Sequence, residues 1–126
     1  MFRVLRELSA RAASSPVELV VITGGEPLIQ QRNLAALVQG LLAAGKRVEF
    51  ETNGTIVPDP ALLIDGVRFN VSPKVRSFGV DESKSIAPSA LEAFAATGSA
   101  VFKFVASSVP DLDRIAELAA HRLAPV

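Results

Sequence analysis

Cysteine is absent from the 126 residues of this sequence. Its absence excludes disulfides, thiolate nucleophiles, zinc-thiolate sites and cysteine-ligated iron-sulfur clusters built from these residues. Histidine occurs once, so a metal site or a Ser/His/Asp triad would have to be built around His121 alone. Its position near the end of the predicted last helix suits a cation beside the helix carboxyl terminus, and we assign it no catalytic role.

The sequence also has no excess of either charge, because 13 Lys and Arg residues balance 13 Asp and Glu residues. We therefore expect neither nucleic acid nor an anionic membrane surface as a partner. Apolar runs such as residues 19–22 and 101–105 are far shorter than the ~20 residues that a membrane span requires. The first eight residues mix charged with apolar side chains, unlike a secretory signal, so the expected location is the cytoplasm.

What the sequence does contain is typical of a soluble globular domain. Hydrophobic residues make up 49% of it and charged residues 21%. A chain of this length can bury roughly two thirds of the surface that its unfolded form exposes. We expect a single domain over residues 1–126.

Apolar periodicity predicts helices that alternate with strands. The predicted helices cover about residues 2–12, 34–44, 88–97 and 111–123, with a helical turn at 61–64. The predicted strands cover residues 19–22, 47–51, 67–71 and 100–105, with a loop at 23–31 and an irregular stretch at 74–87. This alternation indicates an α/β fold of parallel βα units, as an open doubly wound sheet or as part of a βα barrel.

The first predicted strand is followed by Thr-Gly-Gly-Glu-Pro-Leu-Ile-Gln at residues 23–30. Gly24 and Gly25 would let a ligand approach the backbone closely, and the Glu26 carboxylate suits an ammonium group. The same residues also fit a tight turn followed by a helix with an acidic first turn.

Two further strand ends carry polar strings. Residues 49–55 read Glu-Phe-Glu-Thr-Asn-Gly-Thr, in which Asn-Gly signals a turn and the alternation places Glu49 and Glu51 on one face of the strand. Residues 70–74 read Asn-Val-Ser-Pro-Lys, which by itself also fits a turn with a solvated lysine. In the fourth strand Lys103 interrupts large apolar residues, and the pattern fits an ordinary strand as well as a polar site.

Taken together, these strings resemble the 7-carboxy-7-deazaguanine synthase family of radical S-adenosylmethionine enzymes. Residues 23–30 resemble the glycine-rich loop that binds the amino group of the methionine moiety, and residues 51–55 look like the family's Glu-Thr-Asn-Gly-Thr segment. Residues 72–74 resemble its Ser-Pro-Lys loop, and residues 102–105 its Leu-Lys-Phe-Val strand. The match runs from about residue 17 to 105, which corresponds to the middle portion of the family.

The resemblance implies a fragment of a partial (βα)6 radical S-adenosylmethionine barrel, without the first strand and its cysteine loop and without the carboxyl-terminal end. The implied activity is that of a lyase that converts 6-carboxy-5,6,7,8-tetrahydropterin to 7-carboxy-7-deazaguanine in queuosine biosynthesis. It implies substrate contact at Thr23 and S-adenosylmethionine contacts at Gly24, Gly25, Glu26, Glu51, Asn53, Ser72, Pro73 and Lys74.

The sequence departs from the family in its metal ligands. The family binds a 4Fe-4S cluster through a three-cysteine loop and Mg²⁺ through an adjacent Asp-Thr segment, and nothing before Val17 corresponds to either. We therefore expect the chain to be inactive on its own. It can be a partial gene model that starts at an internal methionine, which we favour, one half of a split enzyme, or a degenerate relative retained for binding.

The resemblance implies a small-molecule pterin substrate, and a second copy of the chain or a complementing chain is open as a protein partner. The alternative function is that of a degenerate S-adenosylmethionine- or nucleotide-binding α/β module without radical chemistry, in which case the strand-end strings match the family by accident.

Overall fold

A computed structural model of the protein describes residues 7–75 and 82–123, except residues 9 and 13. Its strands are β1 (Leu19–Ile22), β2 (Arg47–Thr52), β3 (Val67–Val71) and β4 (Ala100–Phe102). After the helical residues described within 7–14, its helices are α1 (Gln31–Ala43), α2 (Pro88–Thr97) and α3 (Val109–Arg122), with 3-10 turns at Pro27–Gln30 and Pro60–Leu62. All neighbouring strands pair in parallel and the sheet order follows the chain, so the predicted α/β class with parallel βα units is confirmed.

The core lies between the helices and one face of the sheet. Alternate residues of the two central strands are buried there, among them Val48, Phe50, Val67 and Phe69. The rings of Phe50 and Phe69 stack with centroids 5.6 Å apart, and Phe94 of α2 packs edge-on against Phe69 at 5.3 Å. Burying β-branched and aromatic side chains on this face explains why these residues form strands that pair side by side.

The opposite face of β2 and β3 is polar. Glu49 and Glu51 lie on this face, as the alternation predicts, and the Asn70 amide donates a hydrogen bond to each carboxylate at 3.1 Å. Arg68, also on β3, is exposed on the same face. The described helices therefore cover one face of the sheet, while the central strands present charged and amide groups on the other.

Both ends of α2 follow the prediction. Pro88 occupies the first turn, where its missing N–H costs nothing, and Gly98 ends the helix in the left-handed conformation at φ 71°.

Several predicted boundaries are wrong, among them the helical turn expected at 61–64, which is a 3-10 turn at Pro60–Leu62. The predicted loop at 23–31 contains a 3-10 turn, and α1 begins at Gln31 instead of residue 34. Helix α3 begins at Val109 instead of residue 111, because the Ser108 hydroxyl caps it by accepting a hydrogen bond from the Asp111 N–H. The fourth strand ends at Phe102 instead of residue 105. Lys103 N–H still donates to the Val71 carbonyl at 2.8 Å, but β3 has ended there and Pro73 has no N–H with which to continue the ladder.

Other predictions fall partly on residues that the structure does not describe. In the predicted first helix, the described members of residues 7–14 are helical, and residues 1–6 lie outside the described part. Residues 76–81 of the predicted irregular stretch also lie outside it. Within the described ranges no helix has the length and apolarity to cross a membrane.

Candidate functional site

The loops that follow the four strands lie side by side along the carboxyl edge of the sheet. Ser72 N–H donates to the Thr52 carbonyl at 2.9 Å, which joins the ends of β3 and β2. Lys103 N–H donates to the Val71 carbonyl at 2.8 Å, which joins the ends of β4 and β3. In parallel sheets, this edge is where ligands bind, so the structure brings the four predicted strings together at the expected place.

The loops after β1 and β2 are joined by the carboxylate of Glu26. It accepts hydrogen bonds from the Leu28 N–H at 3.0 Å, the Asn53 N–H at 2.8 Å and the Thr52 hydroxyl at 2.8 Å. Thr52 is only 4% exposed, so the carboxylate satisfies a hydroxyl that is largely cut off from water. The donors of the chain itself therefore occupy this carboxylate, which favours a positioning role over direct contact with a ligand ammonium group.

Thr23, Gly24 and Gly25 form the exposed tip of the first loop. Gly24 has a φ of 128°, a conformation that residues with a side chain rarely adopt. A Cβ built on either glycine would meet nothing within 4 Å. The backbone of this loop is thus open to a ligand that approaches the carboxyl edge of the sheet.

Side-chain hydrogen bonds shape the loop after β2. The Asn53 Oδ1 accepts from the N–H and the hydroxyl of Thr55, at 3.0 and 2.6 Å. Gln31 holds the far side of the loop, where it donates to the Val57 carbonyl at 3.1 Å and accepts from the Asp59 N–H at 2.7 Å. Asn53 therefore uses its side-chain oxygen to form the turn.

Glu51, another predicted contact residue, lies on the polar face of β2. Its carboxylate accepts from Asn70, whereas the next residue, Thr52, lies on the buried face with Glu26. Glu51 therefore lies near the strand ends, on the face of the sheet that the described helices do not cover.

A pocket of about 450 Å³ lies at the ends of β3 and β4. Among the described residues it is lined by Ser72, Pro73, Lys74, Val75, Lys103 and Val105. The predicted Ser-Pro-Lys loop thus forms one wall. Lys103, whose role the sequence pattern left open, forms part of the other.

Two residues of the site were not predicted. Thr52 lies within the polar string at residues 49–55. Strand alternation places it on the face opposite Glu51, and this could have marked it as buried and in need of a hydrogen-bond partner. Gln31 gave no local signal, because its contacts lie 26 and 28 residues away along the chain.

The residues that the structure describes do not fit a metal or a cluster. The sequence has no cysteine, and no group of three His, Cys, Asp or Glu side chains within the described ranges is arranged to hold a metal ion. The edge offers backbone amides, hydroxyls and ammonium groups, which suit the polar and anionic groups of an organic ligand.

No protein-family model matches the chain. Curated proteins named 7-carboxy-7-deazaguanine synthase do: the one from Hyperthermus butylicus is 42% identical over 118 residues, which cover 92% of this chain and 49% of the relative. The one from Pyrobaculum aerophilum is 41% identical over 113 residues, which cover 88% of this chain and 48% of the relative. A third, from Koribacter versatilis, is 36% identical over 78 residues, or 59% of this chain and 34% of the relative. The chain spans about half the length of the first two of these relatives.

Proposed function

Because the chain is related to the 7-carboxy-7-deazaguanine synthases along most of its own length, we propose that it forms the S-adenosylmethionine-binding part of such an enzyme. The conversion is that of 6-carboxy-5,6,7,8-tetrahydropterin to 7-carboxy-7-deazaguanine in queuosine biosynthesis. The observation that carries the proposal is the row of strand-end loops, because residues 23–26, 51–53 and 72–74 of the matching strings meet along one edge.

Each part of this edge has a proposed task. The open backbone of Gly24 and Gly25 contacts the methionine end of S-adenosylmethionine, and Thr23 contacts the pterin. Ser72, Pro73 and Lys74 contact the cofactor from the end of β3. Glu26 and Asn53 keep the first two loops in register, as their internal hydrogen bonds suggest, and Glu51 faces the same space from the polar face of β2.

We also propose that the sheet is part of a (βα)6 barrel. Parallel strands whose spatial order follows the chain, linked by right-handed crossovers, place all connecting helices on one face. The buried side chains lie on that face, and the polar groups Glu49, Glu51 and Asn70 would then line the interior. A polar interior near the strand ends is compatible with a ligand site.

The radical step needs ligands that this sequence does not contain. A 4Fe-4S cluster depends on cysteine thiolates, so its residues and those for Mg²⁺ would have to be contributed from outside these 126 residues. The chain by itself should therefore bind S-adenosylmethionine weakly and not cleave it.

Titration of the ¹⁵N-labelled protein with S-adenosylmethionine tests the binding. We expect the amide signals of Gly24, Gly25 and Lys74 to shift, with a Kd above about 1 μM because the chelating iron is lacking. Lys74→Ala should weaken binding about tenfold through loss of one charge-assisted hydrogen bond. Arg47→Ala is the matched control, because Arg47 is an exposed cation at the opposite end of β2.

The same titration tests the alternative function. A nucleotide-binding module would respond to ATP or NAD at least as strongly as to S-adenosylmethionine. Shifts that are stronger with either nucleotide, or submicromolar affinity for S-adenosylmethionine without any cluster, would contradict the proposed site.

The open edge of β1 leads to a prediction about partners. Within the described sheet β1 has a neighbour on one side only, Val21 is 45% exposed, and an apolar pocket of about 390 Å³ lies beside this strand. Such an edge favours pairing with a further strand, from a second copy or from a complementing chain.

We expect the purified protein to self-associate in sedimentation experiments, and we expect Val21→Lys to shift it towards monomer. Val57→Lys, at an exposed loop position, is the control, and a stable monomeric wild type would contradict the prediction.

A further inference from the structure

Two lysines, Lys74 and Lys103, line the pocket at the ends of β3 and β4, and none of its described lining residues has a carboxylate. Between described residues, the ion pairs involve Arg114 and Arg122, and neither Lys74 nor Lys103 takes part in one. No side-chain hydrogen bond of either lysine to a described residue occurs. Two cations in one pocket repel each other, and an anionic ligand would remove this repulsion.

The backbone holds these lysines near each other. The last register pair of β3 and β4 is Val71 with Phe102, so Ser72 and Lys103 are the next residues along adjacent strand ends. Parallel neighbours are about 4.8 Å apart, and the Lys103 N–H to Val71 carbonyl bond keeps this spacing beyond the last pair. Lys103 therefore projects from the neighbouring strand end into the pocket that the loop of Lys74 borders.

Strand alternation also explains why a lysine occupies this position. Phe102 and Phe104 pack against the core, so Lys103 shares the opposite face with Val101 and Val105. A lysine with no role except to be solvated could occupy any exposed position of this short strand end. At this one, it lines the same cavity as Lys74 and Ser72.

We propose that Lys103 acts together with Lys74 to bind one carboxylate of a small-molecule ligand. The choice of a carboxylate rests on the proposed function, because both S-adenosylmethionine and the 6-carboxytetrahydropterin substrate carry one. Two ammonium donors can each form a charge-assisted hydrogen bond with its oxygens, and the Ser72 hydroxyl can add a third bond. Lys103 is thus a second cationic binding residue beside the Ser-Pro-Lys loop.

Binding to two matched pairs of compounds tests this assignment. The first pair is S-adenosylmethionine and its decarboxylated form, and the second is 6-carboxypterin and unsubstituted pterin. For whichever carboxylate lies in the pocket, Lys103→Ala should lower the affinity about tenfold, as expected for one hydrogen bond to a charged group. Affinity for the counterpart without the carboxylate should not change, and Lys103→Arg should retain most of the binding.

The outcomes separate this inference from the proposed function. Arg47→Ala removes the same charge at the far end of the sheet, so equal effects of Lys103→Ala and Arg47→Ala would overturn the inference. Failure of both carboxylates to shift the amide signals of Ser72, Lys74 and Lys103 would also overturn it. If S-adenosylmethionine shifts Gly24 and Gly25 and the binding of neither carboxylate depends on Lys103, the function stands and the inference fails. If only 6-carboxypterin binds and needs Lys103, the inference stands and the proposed cofactor site fails.

Discussion

Replacing Glu26 with alanine is expected to lower the free energy of unfolding by about 3 kcal/mol. Each hydrogen bond to a charged group stabilises the folded protein by about 1 to 3 kcal/mol, and each buried donor left without an acceptor costs about the same. The carboxylate accepts from three groups, the N–H groups of Leu28 and Asn53 and the hydroxyl of Thr52. The variant leaves the nearly buried Thr52 hydroxyl without this acceptor. Urea unfolding measures the change, which should appear in the midpoint and not in the slope.

Two further variants make the result specific. Glu18→Ala removes an exposed carboxylate just before β1 that forms no side-chain hydrogen bond with the described residues, and should change stability by less than about 0.5 kcal/mol. Glu26→Gln keeps one acceptor oxygen but turns an amide NH₂ towards the donors, so an intermediate loss is expected. If Glu26→Ala were no more costly than Glu18→Ala, the hydrogen bonds that join the two loops would carry no stability.

The strands were predictable because each has a strong local signal. Val67, Phe69 and Val71 alternate with polar residues, and Pro88 and Gly98 bracket α2, so propensity and patterning agree with the fold. The end of β4 was not predictable in this way. Residues 103–105 continue the apolar alternation, but a strand ends where its neighbour stops pairing, and this depends on Pro73 of another strand end.

The candidate site was predictable in location but not in the division of labour among its residues. Strand-end strings meet at one edge in any parallel sheet, so the proximity of residues 23–26, 51–53 and 72–74 followed from order alone. The task of a side chain depends on which donors lie near it in space. Glu26 is suited by charge to an ammonium group, yet its partners are Thr52 and Asn53, more than 25 residues away along the chain.

Gly54 lies where the loops after β2 and β3 pack against each other. Gly54 is buried in the loop after β2 with a φ of 77°, and a Cβ at this position would lie 2.7 Å from Val71 Cγ1 and 3.0 Å from Leu91 Cδ2. Pro73 Cγ would be 3.7 Å away, so the loops after β2 and β3 are in close contact here. This contact sets the distance between the Asn53 turn and the Ser-Pro-Lys loop.

We expect Gly54→Ala to destabilise the protein by about 3 kcal/mol, of which ~1 to 2 kcal/mol arises from the left-handed backbone and the rest from overpacking. Gly98→Ala is the matched control, since Gly98 has a φ of 71° but nothing within 4 Å of a Cβ, and should show the backbone cost alone. Adding Val71→Ala to Gly54→Ala removes the closest atom, so the double variant should be more stable than the sum of the single changes predicts, by about 1 kcal/mol. Equal losses for Gly54→Ala and Gly98→Ala in urea unfolding would contradict the close packing.

The amide signals of Gly25 and Lys74 in the same variants report the site itself. They should move in Gly54→Ala and stay in place in Gly98→Ala, because only Gly54→Ala pushes the ends of β2 and β3 apart.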